Sequence, residues 1–131
     1  MVEVKKNSIL IVDDESSNII ALTKTLSPEY TVRAAINGRD AINTAKKHLP
    51  DIILLDIVMP EMDGYAVIAE LKNSDNLKDI PVIFLTAMTN SENEAKGLKL
   101  GAVDYIYKPF SQELLLERVE MHLRLNYGKK T

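Results

Sequence analysis

Short apolar runs alternate with amphipathic stretches five times along this chain, and that alternation limits the fold more than any other feature. The runs lie at Ser8–Val12, 30–35, 51–55, 82–85 and 103–107. In the first and third, apolar residues follow one another without the polar alternation of a half-exposed strand, the pattern of a strand covered on both faces. Between them come helical patterns. From Ser16–Leu26, the residues Ile19, Ile20, Leu22, Thr23 and Leu26 recur at helical spacing, and Ser27-Pro28 stops the run. Gly38–His48 is a second helix, closed by Leu49-Pro50. A loop at 59–64 precedes a third, with Val67, Ile68 and Leu71 on its inner face. A fourth covers about 91–100, with Gly101 placed as its C-cap, and Gln112–Leu125 is the fifth. Strand–helix alternation of this kind predicts a parallel sheet with helices on both faces. Right-handed crossovers leave few alternatives to a doubly wound sandwich.

The bulk properties agree with one domain. The chain has 131 residues, 46 % hydrophobic and 27 % charged, an ordinary globular balance. A formal net charge of -3 gives no basic stripe for nucleic acid. Without cysteine there is neither a disulfide framework nor a thiolate metal site. The apolar runs are too short to span a bilayer, and the first residues lack the apolar segment of a signal peptide. A cytoplasmic location is the expectation.

The chemistry sits at the ends of the strand runs. Asp13 and Asp14 follow the first, Asp56 the third, Thr86 the fourth and Lys108 the fifth. In a parallel sheet the carboxyl ends of the strands open onto one edge, where ligands bind. Three carboxylates, a hydroxyl and an ammonium would therefore converge. Crowded carboxylates require a compensating cation, and Mg²⁺ suits them because it takes hard oxygen ligands and leaves room for phosphate oxygens. A carboxylate can attack phosphorus to give an aspartyl phosphate. Lys108 and Thr86 would supply charge and a donor for the incoming group.

The stretches Ile11-Val12-Asp13-Asp14-Glu15, Leu55-Asp56-Ile57-Val58-Met59-Pro60, Leu85-Thr86-Ala87 and Lys108-Pro109-Phe110 resemble the signature of receiver domains, the phosphoacceptor modules of two-component response regulators. The resemblance runs from about residue 7 to 123 and implies a flavodoxin-like (βα)5 fold, a doubly wound five-stranded parallel sheet with strand order 2-1-3-4-5. It implies that Asp56 is phosphorylated by a sensor histidine kinase or phosphotransfer protein. Asp14 and Asp56 would bind Mg²⁺ directly, Asp13 mainly through a water, and Val58 through its carbonyl. Lys108, with a cis bond to Pro109, would pair with a phosphoryl oxygen. Thr86 would move toward the phosphoryl group, and Tyr105 would turn inward behind it. The signal would emerge at the fourth helix, fifth strand and fifth helix, a face that could also form a homodimer. The moving segment would be 86–91. Positions two after the phosphoacceptor and two after the threonine, often polar in the family, are Val58 and Met88 here, which implies a long-lived phosphorylated state.

Asp13-Asp14 as a simple helix start is set aside by the company of Asp56, Thr86 and Lys108. Glu15 either lines the pocket or caps the first helix, and Asp63-Gly64 reads as a turn and helix start. Tyr107 reads as packing, His48 as a solvated histidine at a helix end, and His122 as structural. A haloacid-dehalogenase-type phosphatase would need a second Asp where Val58 stands, and no Gly-rich phosphate loop follows the first strand. A receiver-like binding module that is never phosphorylated would be expected to have lost an acid, the threonine or the lysine. The reading is a phosphoacceptor switch rather than a metabolic enzyme, with residues 1–127 as the receiver and 128–131 as a tail or linker. Alternatively, it is a receiver module of a larger regulator with a cyclase, kinase or other output domain. Leu125 and Tyr127 extend the apolar pattern of the last helix, which fits either a frayed terminus or a helix that continues into an output domain of a longer protein or pairs between protomers.

Overall fold

Five parallel strands, as the alternation predicts, lie in the order β2-β1-β3-β4-β5 that the resemblance implies. The computed structural model describes residues 6–87 and 91–125; Tyr127, residues 88–90 of the moving segment (Met88 among them) and the 127/128 boundary lie outside the described residues. The elements are β1 (Ser8–Val12), α1 (Ser16–Leu26), β2 (Thr31–Ala35), α2 (Gly38–His48), β3 (Ile52–Leu55), α3 (Gly64–Lys72), β4 (Val82–Thr86), α4 (Ser91–Lys99), β5 (Asp104–Tyr107) and α5 (Gln112–Leu125).

The two-residue period of a strand sends alternate side chains to opposite faces. Leu10, Val12, Ile53, Leu55, Val82, Phe84 and Tyr105 enter one core with residues of α2 and α3. Ile9, Ile11, Ile52, Leu54, Ile83, Leu85 and Ile106 enter the other, with Leu22 and Leu26 of α1 and Leu115 and Val119 of α5. Each such aliphatic side chain contributes about 1.5–3 kcal/mol by leaving water. In β1, β3 and β4, where neither face meets solvent, an unbroken apolar run is therefore required, whereas the edge strand β2 admits Arg33. Among the described residues, no helix is long and apolar enough to cross a membrane.

Helix ends follow local chemistry. Asn37 caps α2 by accepting the Asp40 N–H at 2.8 Å, and Asp63 caps α3 by accepting that of Ala66 at 2.9 Å. Lys46, Lys47 and His48 fill the last turn of α2. Gly101 (φ 115°) ends α4, where its N–H reaches the Leu98 carbonyl. Element ends differ from the sequence pattern by single residues. Tyr30 is left out of β2 because its N–H bonds to the Leu26 carbonyl, which keeps it in the turn after α1. β4 gains Thr86, whose Cα is in register with Tyr107.

Candidate functional site

Backbone pairing continues past the strand ends and ties the site residues to one another. The Asp13 N–H bonds to the Ala35 carbonyl, that of Asp56 to Val12, and that of Lys108 to Thr86 at 2.9 Å. The Lys108-Pro109 bond is cis. Gly64, at the start of α3, lies so near the acceptor loop that a Cβ there would come within 2.5 Å of the Asp56 carbonyl oxygen and 2.8 Å of the Ile57 Cα. Only glycine lets α3 begin against the backbone that presents Asp56.

The expected convergence is present. One carboxylate oxygen from each of Asp13, Asp14 and Asp56 lies within 4.8 Å of the others. Lys108 Nζ is 3.3 Å from Asp13 Oδ2 and 3.8 Å from Asp56 Oδ2. Asp13 is buried; its Oδ1 accepts the Glu15 N–H at 2.9 Å and its Oδ2 the Asn18 amide at 3.2 Å. One ammonium thus faces three carboxylates. Burial pushes the Asp56 carboxyl above its usual value; Lys108 pulls it down, Asp13 pushes it up, and the Ile57 and Val58 backbone N–H groups pull it down without reversing the sum. This donor set of hard oxygens short of positive charge fits a divalent cation of the Mg²⁺ type.

Thr86 is fully buried at the end of β4, while Val58 is 63 % exposed on the rim. Tyr105, expected to turn inward on phosphorylation, is already 7 % exposed in this conformation, its ring 5.8 Å from that of Phe84. Its hydroxyl has no hydrogen-bond partner among the described residues, and burial pushes its phenol up. Glu15 occupies the N-cap of α1 but makes no side-chain cap bond. His48 is exposed at the end of α2; residual desolvation and the charges of Arg33 and Lys47 hold it below its usual value.

Several contacts were not visible in sequence. Tyr107 does more than pack, because its hydroxyl donates to the Glu94 carboxylate on α4. Tyr65 donates to the Asn93 carbonyl at 3.2 Å, and Lys96 lies 4.4 Å over its ring, so α4 is held from α3 and β5 together. On the other edge of the sheet, Asp104 accepts Arg118 through both oxygens and lies 2.9 Å from His122 Nε2. No periodicity within one segment announces a strand acid that bonds to a helix.

Residues 9–120 match the family profile described as the response regulator receiver domain. The chain belongs to that family. As a receiver it is a member of a class of phosphoacceptor switches whose acidic pocket generally binds Mg²⁺. It is 45 % identical over 129 residues to a probable cyclic di-GMP phosphodiesterase of Vibrio cholerae, covering 98 % of this chain and 29 % of that protein. It is 41 % identical over 112 residues to the response regulator PleD of Caulobacter vibrioides, covering 85 % of the receiver and 25 % of PleD. A response regulator structure from Chloroflexus aurantiacus superposes with a TM-score of 0.87 at 33 % identity, over 92 % of this chain and 99 % of that one. The receiver spans less than half the length of the curated relatives it matches.

Proposed function

We propose that Asp56 is the phosphoacceptor and that it takes its phosphoryl group from a phosphohistidine on a sensor kinase or phosphotransfer protein. The supporting observation is the position of Asp56, at the carboxyl end of β3, beside Asp13 and Asp14 and 3.8 Å from Lys108. An Asp56 carboxylate oxygen attacks phosphorus, the P–N bond of the donor breaks, and the imidazole leaves with the electron pair and takes up a proton. Asp14 and Asp56 would hold Mg²⁺, with Asp13 acting chiefly through a water and Val58 through its carbonyl; when bound, the ion would supply the positive charge that the phosphoryl oxygens require. Lys108 pairs with one of those oxygens and the Thr86 hydroxyl donates to another.

The added charge then favours the arrangement in which Thr86 and Lys108 point at the acceptor. Tyr105, already buried on β5, responds with Thr86, and the α4–β5–α5 face changes with it, as a surface for a target or a second copy. The receiver is a substrate that assists its own chemistry, not a metabolic enzyme. Its setting is the cytoplasm, with no direct contact to nucleic acid. A second reading, a receiver inside a longer regulator with a cyclase, kinase or other output domain, is favoured by the fraction of PleD and the Vibrio cholerae relative that it covers. Intact mass after incubation with acetyl phosphate tests the acceptor. A single phosphoryl adduct that requires Mg²⁺ and is lost in Asp56→Asn is expected; an adduct that persists in Asp56→Asn, or none in the wild type, contradicts it.

A further inference from the structure

The two oxygens of Asp13, 2 % exposed, carry different loads. Oδ1 accepts the Glu15 N–H at 2.9 Å. Oδ2 accepts from opposite ends of the sequence, the Lys108 ammonium at 3.3 Å and the Asn18 amide at 3.2 Å. Asn18 is in the first turn of α1, where an amide ordinarily serves its own helix end or water. Here its contact with the N-cap residue, Glu15 Oε2, is only 3.5 Å long, and the shorter bond is to Asp13.

We infer that Asn18 is a positioning residue for phosphoryl acceptance, keeping Asp13 Oδ2 satisfied when Lys108 leaves it. The inference rests on Asp56 being the acceptor. Lys108 stands nearer to Asp13 than to Asp56, so pairing with a phosphoryl oxygen on Asp56 draws it from an oxygen it already holds. A buried carboxylate oxygen stripped of every donor bears the full desolvation cost, whereas one that retains an amide bears a fraction of it. Asn18 is neutral, so it supports Asp13 without adding a charge that would compete with Lys108. In its absence Lys108 is the one side-chain donor to Oδ2 among the described residues, and the phosphoryl group has to win it from Asp13. Because Oδ1 stays tied to the Glu15 N–H, the ion's hold on Asp13 changes little.

The test uses beryllofluoride as the phosphoryl probe, titrated at saturating Mg²⁺ by calorimetry, with Mg²⁺ affinity titrated separately. Asn18→Ala should weaken beryllofluoride binding about fivefold while Mg²⁺ affinity changes less than about twofold. Asn18→Leu, which keeps the bulk but not the donor, should behave the same way. Urea unfolding of the metal-free protein supplies the second arm. Combined with Lys108→Met, Asn18→Ala should cost more than the two single losses added, because only together do they strip Oδ2. A merely structural Asn18 would lower both affinities in step, or give additive unfolding losses; either outcome overturns the inference. Unchanged beryllofluoride affinity in both variants overturns it as well. If the wild type itself fails to bind beryllofluoride, the acceptor role of Asp56 falls and takes this inference with it. Wild-type binding with an unresponsive Asn18 removes the role of Asn18 alone.

Discussion

Asp56 and Asp104 are the same side chain at opposite edges of one parallel sheet, and their surroundings push them in opposite directions. Asp56 shares the Lys108 ammonium with Asp13 in a cluster of three carboxylates, and burial with a neighbouring charge holds its carboxyl above the usual range. Asp104 is also pushed up by burial. Hydrogen bonds from His122, the Tyr105 N–H and Arg118, together with the Arg118 charge, outweigh that and bring it below the usual range. His122 is 4 % exposed and lies against Asp104, so the second cluster fastens α5 to β5. Partner count, rather than residue type, separates the two: a carboxylate short of donors is available to a cation and a phosphoryl group, and one with its donors supplied is a fastening.

The contrast can be broken most forcefully at the fastening. Asp104→Ala leaves Arg118 and the buried His122 without their shared acceptor and should cost about 2–3 kcal/mol in urea unfolding. A loss below about 0.5 kcal/mol, the ordinary level for a surface change, would mean the cluster holds nothing. The next largest effect concerns lifetime. Val58, exposed and apolar, offers no polar group to orient a hydrolytic water. Val58→Asn combined with Met88→Lys should shorten the phosphorylated half-life about tenfold, equivalent to about 1.4 kcal/mol of barrier. A wild-type half-life of seconds in Mg²⁺ buffer would contradict this.

The smallest effect has the opposite sign. In metal-free protein, Asp56→Asn should stabilise by about 1 kcal/mol near neutral pH, because it removes a charge that burial disfavours. The pH dependence sharpens the contrast. With its folded pKa raised, Asp56 ionises at a cost to the fold, so the advantage of Asp56→Asn grows as pH rises through that raised value and vanishes in acid. With its folded pKa depressed, Asp104 contributes stability above the ordinary value of 3.8, which is lost as pH falls through the lower folded one. Unfolding of each variant against wild type from pH 3 to 7 separates the two slopes.

Most of the architecture was legible because strands buried on both faces leave a mark in the sequence. Ile52-Ile53-Leu54-Leu55 feeds both cores, and no other common element needs so short and unbroken an apolar run. Asp13, Asp14, Asp56, Thr86 and Lys108 were legible as a group because a parallel sheet puts the ends of its strands on one edge. What stayed hidden depends on side chains meeting across elements. An amide in the first turn of a helix looks like a cap, and only the fold turns Asn18 toward Asp13. Gly64 reads as a turn residue until Asp56 is seen directly beneath it. Arg118 and His122 are one helical turn apart, yet the acid that joins them lies on the preceding strand.

Carboxyl-¹³C NMR titration of Asp56 and Asp104, without and with Mg²⁺, tests the contrast most directly. Without metal, Asp56 should titrate above the ordinary 3.8 and Asp104 below it. Adding Mg²⁺ should drive the Asp56 transition downward and leave that of Asp104 in place. An Asp56 carboxyl that titrates at or below the ordinary value and ignores Mg²⁺ would contradict the account, because it would show that the cluster is already compensated and has no call for a cation.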